Sequence, residues 1–260
     1  GANGFYASPQ AIEQYEEVRT GLASVGYTYK SGRWKVNPRF SWRNNRDRYD
    51  YIRSNPGAYQ NIHTTNTYAI ETNTSYKSNL GTTGIGVEYR REEINGFWLR
   101  GSVASPSNLD GFSRDNVGAF IEHRFILNNS KLDITPGMYL GWYSDFGAQV
   151  FPGIEAGYNL TNYLRVYGNL GRSFRIPTFY DQYYDSPVEK GNPDLEPEEA
   201  WTYEAGIRMI EGGWILEANA FLRDNQRMID WVLNTQDSIY EARNFTMVQT
   251  RGIELSLSYN

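Results

Sequence analysis

Residues 34–43 read WKVNPRFSWR, with an apolar residue at every even position and a polar or charged one at every odd position. Residues 132–142, LDITPGMYLGW, repeat the apolar even positions, with a proline at the same point. Because successive side chains of a β-strand point to opposite faces, both segments predict long, two-faced strands. At ~3.3 Å per residue the second segment is about 33 Å long. After a tilt near 40° it matches an apolar membrane band about 25 Å tall.

This period-two alternation recurs along almost the whole chain, while helical periodicity is nearly absent. Residues such as Arg39, Glu122 and Arg208 share the polar face of these segments. Pro38 and Pro136 each remove one backbone donor, so we expect a bulge or a locally unpaired position at both. The eleven predicted strands are roughly 18–30, 33–44, 66–77, 82–92, 115–127, 131–143, 148–160, 163–173, 200–210, 214–233 and 244–259.

The composition limits the classes of function. The 260 residues carry a net charge of −5 without a long block of one sign, which argues against a nucleic-acid partner. Cysteine is absent, which excludes a disulfide framework and a thiolate metal site. No segment approaches the ~18 apolar residues of a membrane helix. Aromatic residues make up 15% of this otherwise polar chain, as expected if rings line the edges of a membrane-facing band.

Connections between the predicted strands alternate in length. Short turns such as Ser31-Gly32 and Gly212-Gly213 fall at one end of the strands, and long segments fall at the other, apart from the short connection 144–147. Outer-membrane barrels show this asymmetry, with tight periplasmic turns and long extracellular loops. We therefore predict an all-β fold, an antiparallel up-and-down transmembrane β-barrel. Its predicted extracellular loops are 45–65, 93–114, 174–199 and 234–243.

Other interpretations stay open on the pattern alone. A soluble β-sandwich also alternates apolar and polar side chains, although globular strands usually have about five or six residues. A passive porin also has a charged inner face, which lines a water channel. An enzyme is not expected, because the chain has only two histidines, His63 and His123, and no GxSxG segment.

Two segments resemble TonB-dependent outer-membrane receptors. Residues 171–208 contain FRIP at 174–177, then a loop rich in aromatic residues, then GNPDLEPE at 191–198 and a strand with EAG, in the order typical of that family. Residues 243–259, RNFTMVQTRGIELSLSY, are similar to the hairpin that follows in the family. Together these segments cover about a third of the chain.

The resemblance implies a barrel of about 22 strands with a plugged lumen. Residues 1–260 would then be a partial barrel of about 11 strands without the plug domain. It also implies the outer membrane of a Gram-negative bacterium, contact with its lipid, and energised uptake of a scarce ligand through a TonB complex that acts on the plug. Residues 55–68 and 118–125 are similar in style to cobalamin receptors, which favours cobalamin or a corrinoid. A ferric siderophore or haem is the alternative, and a surface lipoprotein is a further candidate partner.

Tyrosine and phenylalanine are concentrated in two of the predicted loops, where rings can clamp a large, partly apolar ligand. Arg175, in the predicted loop 174–199, can bind a carboxylate, phosphate or amide. The alternative is that the rings pack on the barrel rim and that the arginine anchors its loop to the strand. The candidate ligand-binding residues are Arg175, Phe179, Tyr180, Tyr183, Tyr184, Tyr49 and Tyr51.

No cofactor or metal is assigned to particular residues. Residues 192–199 alternate oxygen-bearing side chains as calcium loops do, but two prolines stiffen the run, which favours a structural entry into the next strand. The resemblance implies loop-bound Ca²⁺ in cobalamin receptors of the family. The loop acids that could serve are Asp47, Asp50, Asp110 and Asp115.

Overall fold

The computed structural model describes residues 13–186 and 188–259. Eleven long strands have 12 to 21 residues each. They are β1 (Tyr15–Gly26), β3 (Trp34–Asp50), β4 (Gln60–Ser78), β5 (Gly81–Arg100), β7 (Phe112–Leu127), β8 (Leu132–Tyr143), β9 (Gly147–Asn159), β10 (Leu164–Arg175), β12 (Glu198–Glu211), β13 (Trp214–Asn234) and β14 (Ile239–Tyr259). The short elements are β2 (Tyr29–Ser31), β6 (Val103–Pro106), β11 (Glu189–Lys190), a 3-10 turn (Pro56–Ala58) and α1 (Phe179–Tyr183).

The long strands follow chain order across one sheet, and each is antiparallel to its neighbours. Strands β2 and β6 extend hairpins on β3 and β5, and β11 adds a short parallel pairing on β14. Among the described residues β1 and β14 do not pair with each other, so the sheet is open. The predicted all-β, antiparallel, up-and-down arrangement is confirmed.

One face of the sheet is apolar from strand to strand. The register places Phe40 beside Ile70, Ile70 beside Tyr89, Tyr89 beside Val117, and Val117 beside Trp142. These side chains are 42–58% exposed although they are large and apolar. A soluble protein rarely exposes so large a contiguous apolar patch. The apolar face is therefore suited to lipid rather than to water.

The hydrophobic core of the described residues is correspondingly small. Its buried cluster contains only Leu195, Ile229 and Ala242, with Trp231 packed against it. This cluster lies where the long connection after β10 meets the ends of β13 and β14. Stability of the strands themselves must come from the backbone ladders and from the surroundings of the two faces.

The opposite face carries a hydrogen-bonded polar network. Glu204 accepts hydrogen bonds from Asn169 Nδ2 at 2.9 Å and from Asn219 Nδ2 at 2.8 Å, which links β10, β12 and β13. Arg208 pairs with Glu217 at 2.9 Å. Charged groups on this face require water or protein partners, so it is the face that lines the lumen of the barrel.

The two strand prolines interrupt a ladder without shifting its register. Opposite Pro38, the pairing of β3 stops at Gly26 and resumes at Tyr29 with the same offset. Opposite Pro136, the pairing of β7 with β8 stops at Glu122 and resumes at Phe125 with the same offset. The predicted locally unpaired positions are confirmed, and neither site is a bulge.

Several strands are longer than predicted, which corrects the bounds of three loops. The predicted loop 45–65 is mostly strand, because β3 runs to Asp50 and β4 begins at Gln60. In 93–114 the strand β5 continues to Arg100 and β7 begins at Phe112, and 234–243 shrinks to 235–238. The connection 176–197 agrees with the remaining predicted loop, 174–199, apart from its ends.

The connection 176–197 contains the short helix α1, which alternation alone does not predict. In the part of the chain that the structure describes, no helix combines the length and the apolar character needed to cross a membrane.

Candidate functional site

The connection between β10 and β12 turns into α1 directly after the FRIP motif. Thr178 is the N-cap: its Oγ1 accepts a hydrogen bond from the Asp181 N–H at 3.0 Å, and Asp181 Oδ2 accepts one from the Thr178 N–H at 3.0 Å. This capping box satisfies backbone donors that a helix start leaves free. A helix of five residues is marginal by itself. The position of α1 therefore depends on the contacts around it.

Arg175 joins α1 to the strand ends on both sides of the connection. It is the last residue of β10 and lies in register opposite Glu198, the first residue of β12. Its guanidinium donates to both Glu198 oxygens, at 2.8 and 2.6 Å, and contacts Asp181 Oδ2 at 3.4 Å. These contacts match the alternative in which Arg175 anchors the loop; direct contact with ligand stays a prediction.

The GNPDLEPE motif docks on the C-terminal end of α1. The Gly191 N–H donates to Tyr184 O at 2.6 Å, and the Asn192 N–H donates to Asp181 O at 2.9 Å. A Cβ on Gly191 would lie 2.8–2.9 Å from backbone atoms of Asp181 and Gln182, so only glycine permits this approach. The motif therefore holds the helix as well as opening β12.

The two segments that resemble the receptor family touch each other. Asn244 Oδ1 accepts from the Glu196 N–H, and Asn244 Nδ2 donates to Glu196 O, each at 2.9 Å. Asn244 Nδ2 also donates to Arg227 O at 2.7 Å. Arg227 adopts φ 55° and donates to Pro197 O at 3.1 Å. Residues 191–198, β13 and β14 thus form one connected unit.

One side of α1 packs over the polar face of β7. Tyr183 stacks on Phe112 with ring centres 4.0 Å apart, and Phe179 lies 6.0 Å from the same ring. The Arg114 guanidinium sits 4.8 Å from the Phe179 ring centre and donates to Gln182 Oε1 at 3.1 Å. Arg114 is 3% exposed. Phe179 and Tyr183 therefore anchor the helix over the lumen side of the sheet.

The other side of α1 presents tyrosines. Tyr180 stacks on Tyr184 at 4.2 Å, meets the edge of Trp231 at 5.5 Å, and donates its hydroxyl to Glu189 at 2.8 Å. Burial raises the pKa of Tyr180. Burial, with Tyr59 and Glu189 nearby, raises the pKa of Tyr184 to about 12. Both hydroxyls are therefore neutral donors near pH 7, and Tyr180 remains 38% exposed.

Tyr49 and Tyr51 lie at the same end of the sheet as α1. Tyr49 is near the end of β3, and Tyr51 follows it with 44% exposure. The Tyr51 N–H donates to Tyr59 O at 3.0 Å. Tyr59 in turn lies close enough to Tyr184 to raise its pKa. The structure thus brings the two predicted ring groups into one region, with Tyr59 between them.

Three of the four candidate calcium ligands are engaged by protein groups, whereas Asp47 keeps a buried carboxylate oxygen without a hydrogen-bond partner among the described residues. Asp110 Oδ1 accepts from the Gly96 N–H at 3.0 Å, Asp115 pairs with Arg91 at 3.1 Å, and Asp50 pairs with Arg48 at 2.7 Å. Within residues 13–186 and 188–259, no three His, Asp or Glu side chains are grouped for a metal ion. Calcium in the loops stays a prediction.

The alternation and the aromatic clustering did not identify several residues of this region. Phe112, Arg114 and Trp231 lie on other strands and contact α1 only in the folded chain, and Tyr59 lies near Tyr184. Asn108 Nδ2 donates to Asp185 O at 3.0 Å and ties a further loop to the unit. No local signal marks these residues. The capping pair Thr178 and Asp181, in contrast, has a recognisable spacing.

An open antiparallel sheet with a lipid-suited face, a charged face and interlocked loops at one end is the wall of a membrane barrel. All 260 residues match the family described as TonB dependent receptor-like, beta-barrel, and the chain belongs to that family. It is a protein of the Gram-negative outer membrane, and its relatives are receptors and transporters rather than enzymes.

Named relatives bind different ligands. The chain is 27% identical to vitamin B12 transporter BtuB of Vibrio vulnificus over 67% of this chain and 27% of the relative. It is 24% identical to ferric enterobactin receptor PirA of Pseudomonas aeruginosa over 56% of this chain and 23% of the relative. The solved structure of the Serratia marcescens hemophore receptor HasR matches with a TM-score of 0.81 at 13% identity, over 97% of this chain and 48% of that one. The chain thus spans about a quarter to a half of these relatives.

Proposed function

We propose that the intact receptor takes up cobalamin or a related corrinoid across the outer membrane, energised by a TonB complex that acts on a plug domain. The supporting comparison is the similarity to a vitamin B12 transporter over two thirds of the chain. Outer-membrane lipid surrounds the apolar face in this proposal. Ca²⁺ in the extracellular loops is part of the same proposal.

The proposed ligand site rests on one observation, namely that the contacts around α1 hold its aromatic side chains in fixed positions. Phe179 and Tyr183 are used for packing, which leaves Tyr180 and Tyr51 exposed at the loop end of the sheet. Pre-ordered amphipathic rings bind a large, partly apolar ligand with little loss of side-chain entropy. The Tyr180 hydroxyl, which donates to Glu189, can also accept a hydrogen bond from an amide N–H on the edge of such a ligand.

A ferric siderophore is the second candidate ligand. The ferric enterobactin receptor relative supports it, and the same exposed tyrosines suit the aromatic rings of a catecholate chelate. Haem is a third outcome that a ligand panel can distinguish.

A binding titration of the detergent-purified full-length receptor tests the ligand. Cyanocobalamin, a ferric catecholate siderophore and haemin are titrated in parallel, each with and without Ca²⁺. We expect saturable cyanocobalamin binding with Kd below about 1 μM, a value that corresponds to more than ~8 kcal/mol. We expect Ca²⁺ to tighten this binding.

The matched variant is Tyr180→Leu, which keeps an apolar side chain but removes the ring and the hydroxyl. We expect it to weaken cyanocobalamin binding by about tenfold, while Tyr163→Leu at the opposite end of the sheet leaves Kd unchanged. Saturable siderophore or haemin binding without cyanocobalamin binding would reassign the ligand and contradict the corrinoid proposal.

A further inference from the structure

The lipid-facing side of β1 and β3 carries a group of arginines beyond the aromatic edge. The unbroken register of β3 places Arg46 and Arg48 on the same face as Phe40 and Trp42. Arg46 lies four residues beyond Trp42, about 13 Å along the strand or ~10 Å in height after tilt. The headgroup region of a leaflet is about 5–8 Å thick, and a long arginine side chain at this height can bend back to reach its outer part.

The charges of this group are not balanced among the residues that the structure describes. Arg19 of β1 lies directly opposite Arg46 in the register, and like charges in that arrangement repel. Glu17 is already paired with Arg19 at 2.5 Å. Asp50 is 1% exposed and accepts from Arg48 Nε at 3.1 Å and from Arg48 Nη2 at 2.7 Å. Among residues 13–186 and 188–259, no carboxylate lies within 4.0 Å of Arg46.

Arg19, Arg46, Arg48 and Glu17 line a small cleft of about 30 Å³. The Arg19 side chain is 70% exposed, so the cleft opens outward. Its size suits phosphate oxygens but not a whole ligand molecule. A phosphate that accepts from two guanidinium groups gains strong charge-assisted hydrogen bonds and removes their mutual repulsion.

Two other arginines on the same face are already neutralised. Arg91 pairs with Glu93 at 2.7 Å and with Asp115 at 3.1 Å, and Arg172 pairs with Glu199 at 2.7 Å. The arginine cleft at Arg19 and Arg46 differs because its positive charge exceeds the available carboxylate charge. It also faces away from α1 and the polar face, so a ligand that enters the lumen does not reach it.

We propose that the cleft formed by Arg19, Arg46 and Arg48 binds the phosphate of an anionic lipid headgroup in the outer leaflet. The bound lipid holds the extracellular end of β1 and β3 at headgroup level. This inference rests on the membrane orientation of the strands and is independent of which ligand the receptor takes up.

The test uses the full-length receptor, delipidated in a non-ionic detergent and titrated with water-soluble dihexanoyl phosphatidic acid. Dihexanoyl phosphatidylcholine and inorganic phosphate are titrated in parallel. The variant is Arg19→Gln with Arg46→Gln. Its control, Arg43→Gln with Arg208→Gln, removes the same charge from the polar face.

We expect the Arg19/Arg46 variant to bind the phosphatidic acid at least about tenfold more weakly, and the control to stay within about twofold of the unmodified receptor. Inorganic phosphate is expected to bind more weakly than the lipid, and phosphatidylcholine more weakly still. Equal losses in both variants, or unchanged binding in the Arg19/Arg46 variant, would overturn the proposal. Inorganic phosphate that binds as tightly as the lipid would overturn the assignment to a headgroup.

Discussion

Ile121→Arg in the full-length receptor is expected to lower the free energy of unfolding from the bilayer by about 2–4 kcal/mol. Ile121 lies between Ile85 and Met138 in the register, at the middle of the apolar band, and is 50% exposed. An arginine there places its charge at the depth where lipid excludes water. The cost is therefore near the maximum for a barrel surface.

The neighbouring substitution Glu122→Arg is the matched control. Glu122 points to the polar face and is flanked in the register by Gly84 and Gly137, which leave room for a longer side chain. We expect a change within about 1 kcal/mol, because this face meets water or a plug domain. Denaturant unfolding of the receptor reconstituted in vesicles measures both values. Equal destabilisation by the two variants would contradict the assignment of the faces.

Arg175→Ala is expected to release α1 from the strand ends. The substitution removes two hydrogen bonds to Glu198 and leaves Asp181, which is 8% exposed, without its cation. The Arg175 side chain is 45% exposed, which moderates the cost to about 1–3 kcal/mol. Ligand affinity should fall by about tenfold or more, because the tyrosines of α1 must then be ordered when ligand binds.

A double-mutant cycle with Glu198→Gln separates this contact from a general loss of stability. We expect a coupling energy of about 1 kcal/mol or more between Arg175 and Glu198. Arg208→Ala serves as the control, because Arg208 and Glu217 are 47% and 45% exposed and such pairs contribute little. Additive effects of the Arg175 and Glu198 substitutions on ligand binding would show that the ion pair between these two residues does not position α1.

The sequence predicted which segments form strands and which side chains share a face, because alternation is a local property. The even positions of WKVNPRFSWR lie on one face of β3, and the offset to β4 is constant from Trp34 to Asp50. The sequence did not predict where the strands end. Residues 44–50, NNRDRYD, are polar at every position except Tyr49, so they read as a loop. Above the membrane both faces of a sheet meet water, and the backbone ladder continues after the apolar alternation stops.

The aromatic content of the candidate site was visible in the sequence, but the role of each ring was not. The neighbours that these rings meet decide their roles. Phe179 and Tyr183 meet Phe112, whereas Tyr180 meets Trp231, and both neighbours come from distant strands. Such contacts depend on register and loop closure rather than on local pattern. The helix itself had a local signal, since the Thr178/Asp181 spacing marks a helix start.

Uptake of radiolabelled cyanocobalamin by cells that carry the full-length receptor, with and without TonB, tests energised corrinoid transport most directly. With TonB, we expect accumulation that saturates and exceeds surface binding. Without TonB, we expect surface binding to remain while accumulation falls to that of cells lacking the receptor. Equal accumulation with and without TonB would contradict the account and indicate a passive channel.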